Sequence, residues 1–277
     1  MTTTPVALVT GATSGIGAAT AYRLQSRGYL VFAAGRNPAA LDTLRSRGLQ
    51  ARAVDVTEEA QVDQLVEEIN TAYGGVDVLV NNAGFGLSSP LEQVALRDVR
   101  AIFETNVVAT LHLCQAVLPS MRARRSGIII NVGSTAGRMT TPGAGAYHIT
   151  KYGIEALSDA LRAEVRPFGV RVVLIEPTGV RETGFIQARG TASPSGMDDD
   201  PYGEFKSRYS AVTDKLAESR ILTVDADTVA RVIVRAVEAR RPRTRYLVGA
   251  SGRASVVARR LLTDRMWDRI TMKSLSG

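Results

Sequence analysis

The sequence predicts an α/β chain built on a doubly wound parallel sheet of about seven strands flanked by helices. Three observations lead there. Short, nearly uninterrupted apolar runs recur along the 277 residues, and segments of helical spacing fill the intervals between them. A glycine-rich turn follows the first run and leads straight into the first helical segment.

The runs "VALVT" (6–10), "LVFAAG" (30–35), "ARAVDV" (51–56), "VDVLVNN" (76–82), "GIIINVGS" (127–134) and "VRVVLIEP" (170–177) are rich in β-branched residues. Continuous apolar runs of this kind suit strands covered on both faces. "RYLVGA" (245–250) supplies a seventh. Between them, "GAATAYRLQSRG" and "EEAQVDQLVEEINTAYGG" have helical composition and close on glycine, a common helix stop. The whole chain, 1–277, is expected to be one domain. One stretch breaks the alternation: "RGTASPSGMDDDPYGEF" (189–205), within a region 186–220 that is either a substrate lid or a linker. Residues 251–277 form a basic, amphipathic helical extension, suited to a membrane surface or to docking over a cleft or a second subunit.

Composition excludes several classes. Cys114 is the only cysteine and His112 and His148 the only histidines, so neither a disulfide nor a protein-built zinc site is expected. The start lacks a signal-peptide pattern, and no uncharged apolar run approaches the roughly 18 residues of a membrane span. A cytoplasmic protein without membrane insertion is the expectation. The net charge of +7 gathers in late arginines without interleaved aromatics, which reads as a solvated face rather than a nucleic-acid site.

"TGATSGIG" (10–17) stands between the first strand and its helix, with Gly11, Gly15 and Gly17 as its glycines and Thr13, Ser14 and Ile16 between them. Such a turn lets backbone N–H groups reach a pyrophosphate at a helix N-terminus. The second strand ends in Gly35, Arg36 and Asn37, where an acidic residue would hold the ribose 2′-hydroxyl of NAD. No carboxylate is present to repel a 2′-phosphate and Arg36 can fork onto it, so NADP(H) is preferred over NAD(H). The third strand ends at Asp55 and Val56; Asp55 is placed either to meet the adenine amino group or to cap the next helix. The fourth ends in "NNAG", where Asn82, Ala83 and Gly84 pass the ribose and Asn81 cross-links strands. Ser134 closes the fifth strand, and Tyr147 and Lys151 lie one turn apart on the helix that follows.

In these residues the chain resembles the classical short-chain dehydrogenases/reductases over roughly 6–185: the TGxxxGxG loop, Asp55, NNAG, Asn106 in "ETNVVAT", Ser134 and YxxxK at 147–151 occur in the family's order. The resemblance implies a single-domain Rossmann-like enzyme that interconverts a ketone or aldehyde and an alcohol with NAD(P)(H). It implies that Ser134 bonds the substrate oxygen, that Tyr147 is the acid or base, and that Lys151 holds the nicotinamide ribose and lowers the tyrosine pKa. It places Asn106 in a water-linked proton relay. It also implies cofactor contacts along "EPTGVRET", at Pro177, Gly179, Val180 and Thr183. Two departures stand out there: Thr178 occupies the family's usual glycine position, and one extra residue precedes Thr183.

A free tyrosine titrates near 10, so a phenol that works at pH 7 needs roughly 4 kcal/mol in favour of its anion. An ammonium one turn away in a partly dry site supplies much of that. The apolar start of the lid favours a lipophilic substrate. The alternative is a dinucleotide-binding regulator that senses NADPH without turnover. His148 and His112 are read as packing residues; the resemblance implies that the long apolar helix around Asn106, with the tyrosine helix, is the face of a homodimer or homotetramer.

Overall fold

The computed structural model describes residues 4–181, 190–191 and 200–276. Seven parallel strands form one sheet: β1 (Val6–Thr10), β2 (Leu30–Gly35), β3 (Gln50–Ala53), β4 (Val78–Asn81), β5 (Gly127–Val132), β6 (Val170–Pro177) and β7 (Arg245–Val248). Their spatial order is β7-β6-β5-β4-β1-β2-β3. The chain runs outward from β1 to one edge, returns to pair β4 with β1, and builds the other half from there. Crossovers leave in opposite directions from β1 and β4, so a crevice opens beyond their carboxyl ends.

Helices cover both faces: α1 (Gly15–Gln25), α2 (Pro38–Ser46), α3 (Glu59–Tyr73), α4 (Leu96–Phe103), α5 (Ala109–Arg124), α6 (Gly145–Val165), α7 (Gly203–Glu218), α8 (Ala226–Glu238), α9 (Ala250–Leu261) and α10 (Asp264–Ser276). Strand alternation sends side chains to opposite sides. Ala7, Val9, Ile128 and Ile130 pack with Leu24 of α1, Leu41 of α2 and Ile233 of α8. Leu8, Phe32 and Ile129 pack with Val66 of α3, Val117 of α5 and Leu161 of α6. Both faces are dry, which is why the strands read as continuous apolar runs.

Four expectations are adjusted. β3 ends at Ala53, so Asp55 and Val56 lie in the following turn. Asp55 does not cap α3, whose N-cap is Glu58. The long helix around Asn106 is interrupted by a π-helical turn, Glu104–Val108, between α4 and α5. Leu96–Arg124 is long and apolar enough to cross a membrane by length and composition alone, but its Leu113, Cys114, Val117 and Met121 are buried against the sheet. The basic C-terminal segment breaks at Leu262 into α9 and α10.

Candidate active site

A cavity of about 670 Å³ lies along the carboxyl ends of the strands. At the end of β1, Thr10 Oγ1 donates to the Val80 carbonyl and accepts the N–H groups of Asn82 and Ala83, at 3.3, 3.0 and 3.1 Å. Asn82 returns two bonds, from Nδ2 to the carbonyls of Thr10 and Gly11. The side chain of Asn82 thus braces the glycine loop across β1 and β4. Gly11 and Gly15 have φ of 62° and 52°, the left-handed region that glycine adopts freely. The cavity is lined here by Gly11, Thr13, Ser14, Gly15 and Ile16, and the first turn of α1 holds no acidic residue, so its N–H groups face the cavity as an anion site. Gly17 does not line it; a Cβ there would strike the Gly11 carbonyl, so its role is close packing.

Gly35, Arg36, Asn37, Val54, Asp55 and Val56 line one end. Asn37 Oδ1 caps α2 through the Ala40 N–H at 3.1 Å. Asp55 Oδ1 accepts from the N–H and hydroxyl of Thr57, and Oδ2 from Arg36 at 3.1 Å. Burial, the largest single influence, pushes the Asp55 carboxyl up, but the Thr57 and Arg36 bonds together outweigh it and hold it below the usual range. The Arg36 side chain remains 74% exposed, its head held at the rim. Asp55 therefore acts on Arg36 and the local turn.

At the opposite end, Ser134, Tyr147 and Lys151 line the cavity together. Ser134 Oγ accepts the Ala136 N–H at 3.1 Å, starting a 3₁₀ turn. Lys151 Nζ donates to the Val132 carbonyl at 3.0 Å and sits 5.8 Å from the Tyr147 ring centroid. Burial lowers the Lys151 pKa to about 8. Asn106 is buried outside the cavity: Oδ1 accepts the Phe85 N–H, and Nδ2 donates to the Phe85 carbonyl and to Thr150. Its amide pins the strand-β4 exit to α6 from within the π turn. Asn81 cross-links as expected, donating to Asn131, which donates to Ser158.

Pro177, Thr178, Gly179 and Val180 reach the cavity, whereas Thr183 lies outside the described residues. Two glycines make room for Thr178. A Cβ at Gly249, where φ is 109°, would strike Thr178 Cγ2, and one at Gly252 would lie 3.1 Å from Thr178 Cβ. Thr178 Oγ1 meets Ser251 Oγ at 3.3 Å, so this departure fastens the β6 exit to α9.

Several lining residues were not read from the sequence. Tyr209, Val212, Thr213 and Leu216 of α7 line the cavity at i, i+3, i+4 and i+7, a periodicity that was visible in "YSAVTDKL". Phe85, Met139, Thr141, Pro142, Ala144 and Thr271 complete that end, which carries no charged lining residue among those described once Lys151 is passed. His148 packs as expected but also holds the loop: Nδ1 donates to the Ala136 carbonyl at 2.8 Å and Nε2 accepts the Thr141 N–H at 3.1 Å. Burial lowers its pKa, in keeping with the neutral ring these bonds require. Behind Lys151, Glu155 and Glu176 are buried side by side between Arg138 and Arg245. Burial, then the charge of Glu176, raises the Glu155 pKa.

A dinucleotide fits these residues: glycines 11 and 15, with left-handed backbone, border the cavity at a helix N-terminus, and a buried ammonium lies at the far end.

The family described as short chain dehydrogenase matches residues 5–193. Over 278 residues the chain is 34% identical to an NADPH-dependent 3-dehydrocapnine reductase of Ornithobacterium rhinotracheale, covering 97% of this chain and 96% of that protein. It is 38% identical over 195 residues to a 3-ketodihydrosphingosine reductase of Bacteroides thetaiotaomicron, covering 70% and 71% of the two chains. A short-chain dehydrogenase structure from Streptomyces avermitilis superposes with a TM-score of 0.80 at 30% identity, over 98% and 96% of the chains. One from Burkholderia phymatum, in complex with NAD, gives 0.80 at 28% identity over 94% of each. Fold, loop and family match agree: this chain is an oxidoreductase belonging to the short-chain dehydrogenase family.

Proposed function

We propose that the chain is an NADP(H)-dependent reductase of a lipophilic ketone or aldehyde, with Tyr147 as the proton donor. The observation that carries this reading is the convergence of Ser134, Tyr147 and Lys151 on one wall of a cavity whose other end is the glycine loop. Bound NADPH would supply hydride to the carbonyl carbon. The phenol of Tyr147 gives its proton to the carbonyl oxygen, and the Ser134 hydroxyl donates to the same oxygen as negative charge grows there. The Lys151 ammonium, short of acceptors in its buried seat, takes the nicotinamide-ribose hydroxyls and favours the phenolate that remains. Asn106 positions α6 through Thr150 and Phe85.

Preference for NADP(H) rests on Arg36, held by Asp55 at the rim, and on the NADPH-dependent relative. One solved neighbour of this fold is in complex with NAD and another in complex with NADP. The lipophilic substrate rests on the α7 face, where Tyr209, Val212 and Leu216 stand opposite Met139 and Pro142 without a charge. The two relatives named above are a 3-dehydrocapnine reductase and a 3-ketodihydrosphingosine reductase. Exposed Phe103, Leu111, Ile149 and Tyr152 on the α4–α5 helix and α6 support a homodimer through that face, which sedimentation velocity would test.

The test is NADPH consumption across ketones and aldehydes of increasing chain length. Turnover that rises with chain length and disappears in Tyr147→Phe supports the reading. Turnover retained in that variant would remove Tyr147 from its role.

A further inference from the structure

Exposed apolar side chains gather where cavity-lining residues reach the surface. Leu216 lines the cavity and is itself exposed. Ile221, 87% exposed, and Leu222 directly precede Thr223, which also lines it. On α10, Thr271 lines the cavity between exposed Ile270 and Met272.

The residues of α10 fall into stripes at i, i+4 spacing. Trp267 and Thr271 form the buried stripe, and Trp267 Nε1 donates to the Thr140 carbonyl at 2.8 Å, which fixes the helix against the cavity loop. On one side of it lie Met266 and Ile270, both exposed, and beyond them the exposed cations Arg265, Arg269 and Lys273. Asp264 and Asp268 lie on the other side. The face carrying the apolar stripe is therefore cationic and free of acids. Exposed Lys215 and Arg220 stand beside Leu216 and Ile221, with exposed Asp214 and Glu218 in the same stretch, so the positive charge of this surface comes from α10.

We propose that this face of α10, with the α7 end and the 219–222 turn, docks on an anionic lipid bilayer, so that the cavity mouth meets the membrane interface. Charge selects the occupant. Apolar side chains flanked by an unbroken cationic stripe match the headgroup boundary of an anionic leaflet, where the side chains are buried and the cations stay at the phosphates. A second copy would bring the same cations against themselves. What is taken from the bilayer, a lipophilic ketone, rests on the function proposed above; the docking itself rests on the surface.

The full chain is sedimented with vesicles of phosphatidylcholine alone and with vesicles of equal phosphatidylcholine and phosphatidylglycerol. Binding only to the mixed vesicles is expected. Arg265→Gln/Arg269→Gln/Lys273→Gln should lower partitioning about 100-fold, since each cation near such a surface contributes roughly a factor of five. Met266→Ser/Ile270→Ser, with an unchanged circular dichroism spectrum, should abolish it. Equal binding to both vesicles, no binding, or binding untouched by either variant overturns the proposal. So does an oligomer that Met266→Ser/Ile270→Ser splits, which would give the face to a second copy. NADPH-dependent reduction across the same series of ketones and aldehydes, without vesicles, separates the two readings. Its loss in the parent protein defeats the proposed function while vesicle binding upholds the docking. Its presence without vesicle binding defeats the docking alone.

Discussion

Replacing Lys151 with methionine removes a buried charge that donates a hydrogen bond to the Val132 carbonyl. The only cause of its lowered pKa is burial, and the value falls from 10.5 to about 8. Between those values the unfolded chain binds a proton that the folded chain does not, so stability rises with pH through that window. Below pH 8 both states are protonated and the fold bears the full desolvation cost. At about 1.36 kcal/mol per unit, the gap corresponds to roughly 3 kcal/mol, most of which is relieved between pH 7 and pH 10. Methionine keeps an unbranched stem in the same space and does not titrate. Urea unfolding of parent and Lys151→Met, without cofactor, at several pH values gives the difference in unfolding free energy, in which all other titrations cancel. That difference should move in favour of the parent by roughly 2–3 kcal/mol from pH 7 to pH 10. A flat difference would refute the reasoning, and a move toward the variant would mean that the ammonium has a strong partner. Saturating NADP⁺ should carry the rise to higher pH, because ribose hydroxyls that accept from the ammonium favour its charged form.

Tyr147→Phe should leave the NADPH dissociation constant nearly unchanged and lower kcat about 10²–10⁴-fold, read by fluorescence titration and steady-state rates. Arg36→Asp should set a carboxylate beside Asp55 at the rim and lower kcat/KM for NADPH about 10–100-fold while sparing NADH; an unchanged ratio removes Arg36 from cofactor choice. Glu155→Gln should flatten the pH dependence of stability. The raised Glu155 pKa makes the folded state hold its proton above the ordinary carboxylate range, so the parent loses stability as pH rises from about 5 and the variant does not. Gly252→Ala should destabilise by about 1–3 kcal/mol by crowding Thr178 and Thr135, and adding Thr178→Gly should recover part of it in a double-mutant cycle.

The strands were legible because both faces of the sheet are dry. Val6–Thr10, Leu30–Gly35 and Val170–Pro177 match their runs residue for residue. β3 was overread by its apolar look, since Val54 and Val56 are buried after the ladder has ended. The glycine loop and the Ser134, Tyr147, Lys151 set were legible because each sits at a strand end or one helical turn from its neighbour. The α7 stripe was masked by its setting after a Gly, Ser, Pro and Asp tract, which drew attention to loop rather than helix.

Local rules alone determined the doubly wound sheet, the glycine turn at the end of its first strand and the placing of a phenol and an ammonium one turn apart, because spacings of two, three and four residues express strand and helix geometry directly. What partners a side chain finds across the fold is not local. Only the tertiary structure decided that Asn106 spends its amide on Phe85 and Thr150, that Asp55 holds Arg36, that glycines 249 and 252 accommodate Thr178, and that α7 and α10 close the cavity. Those contacts join residues far apart in the chain, and their existence depends on packing that no single segment encodes.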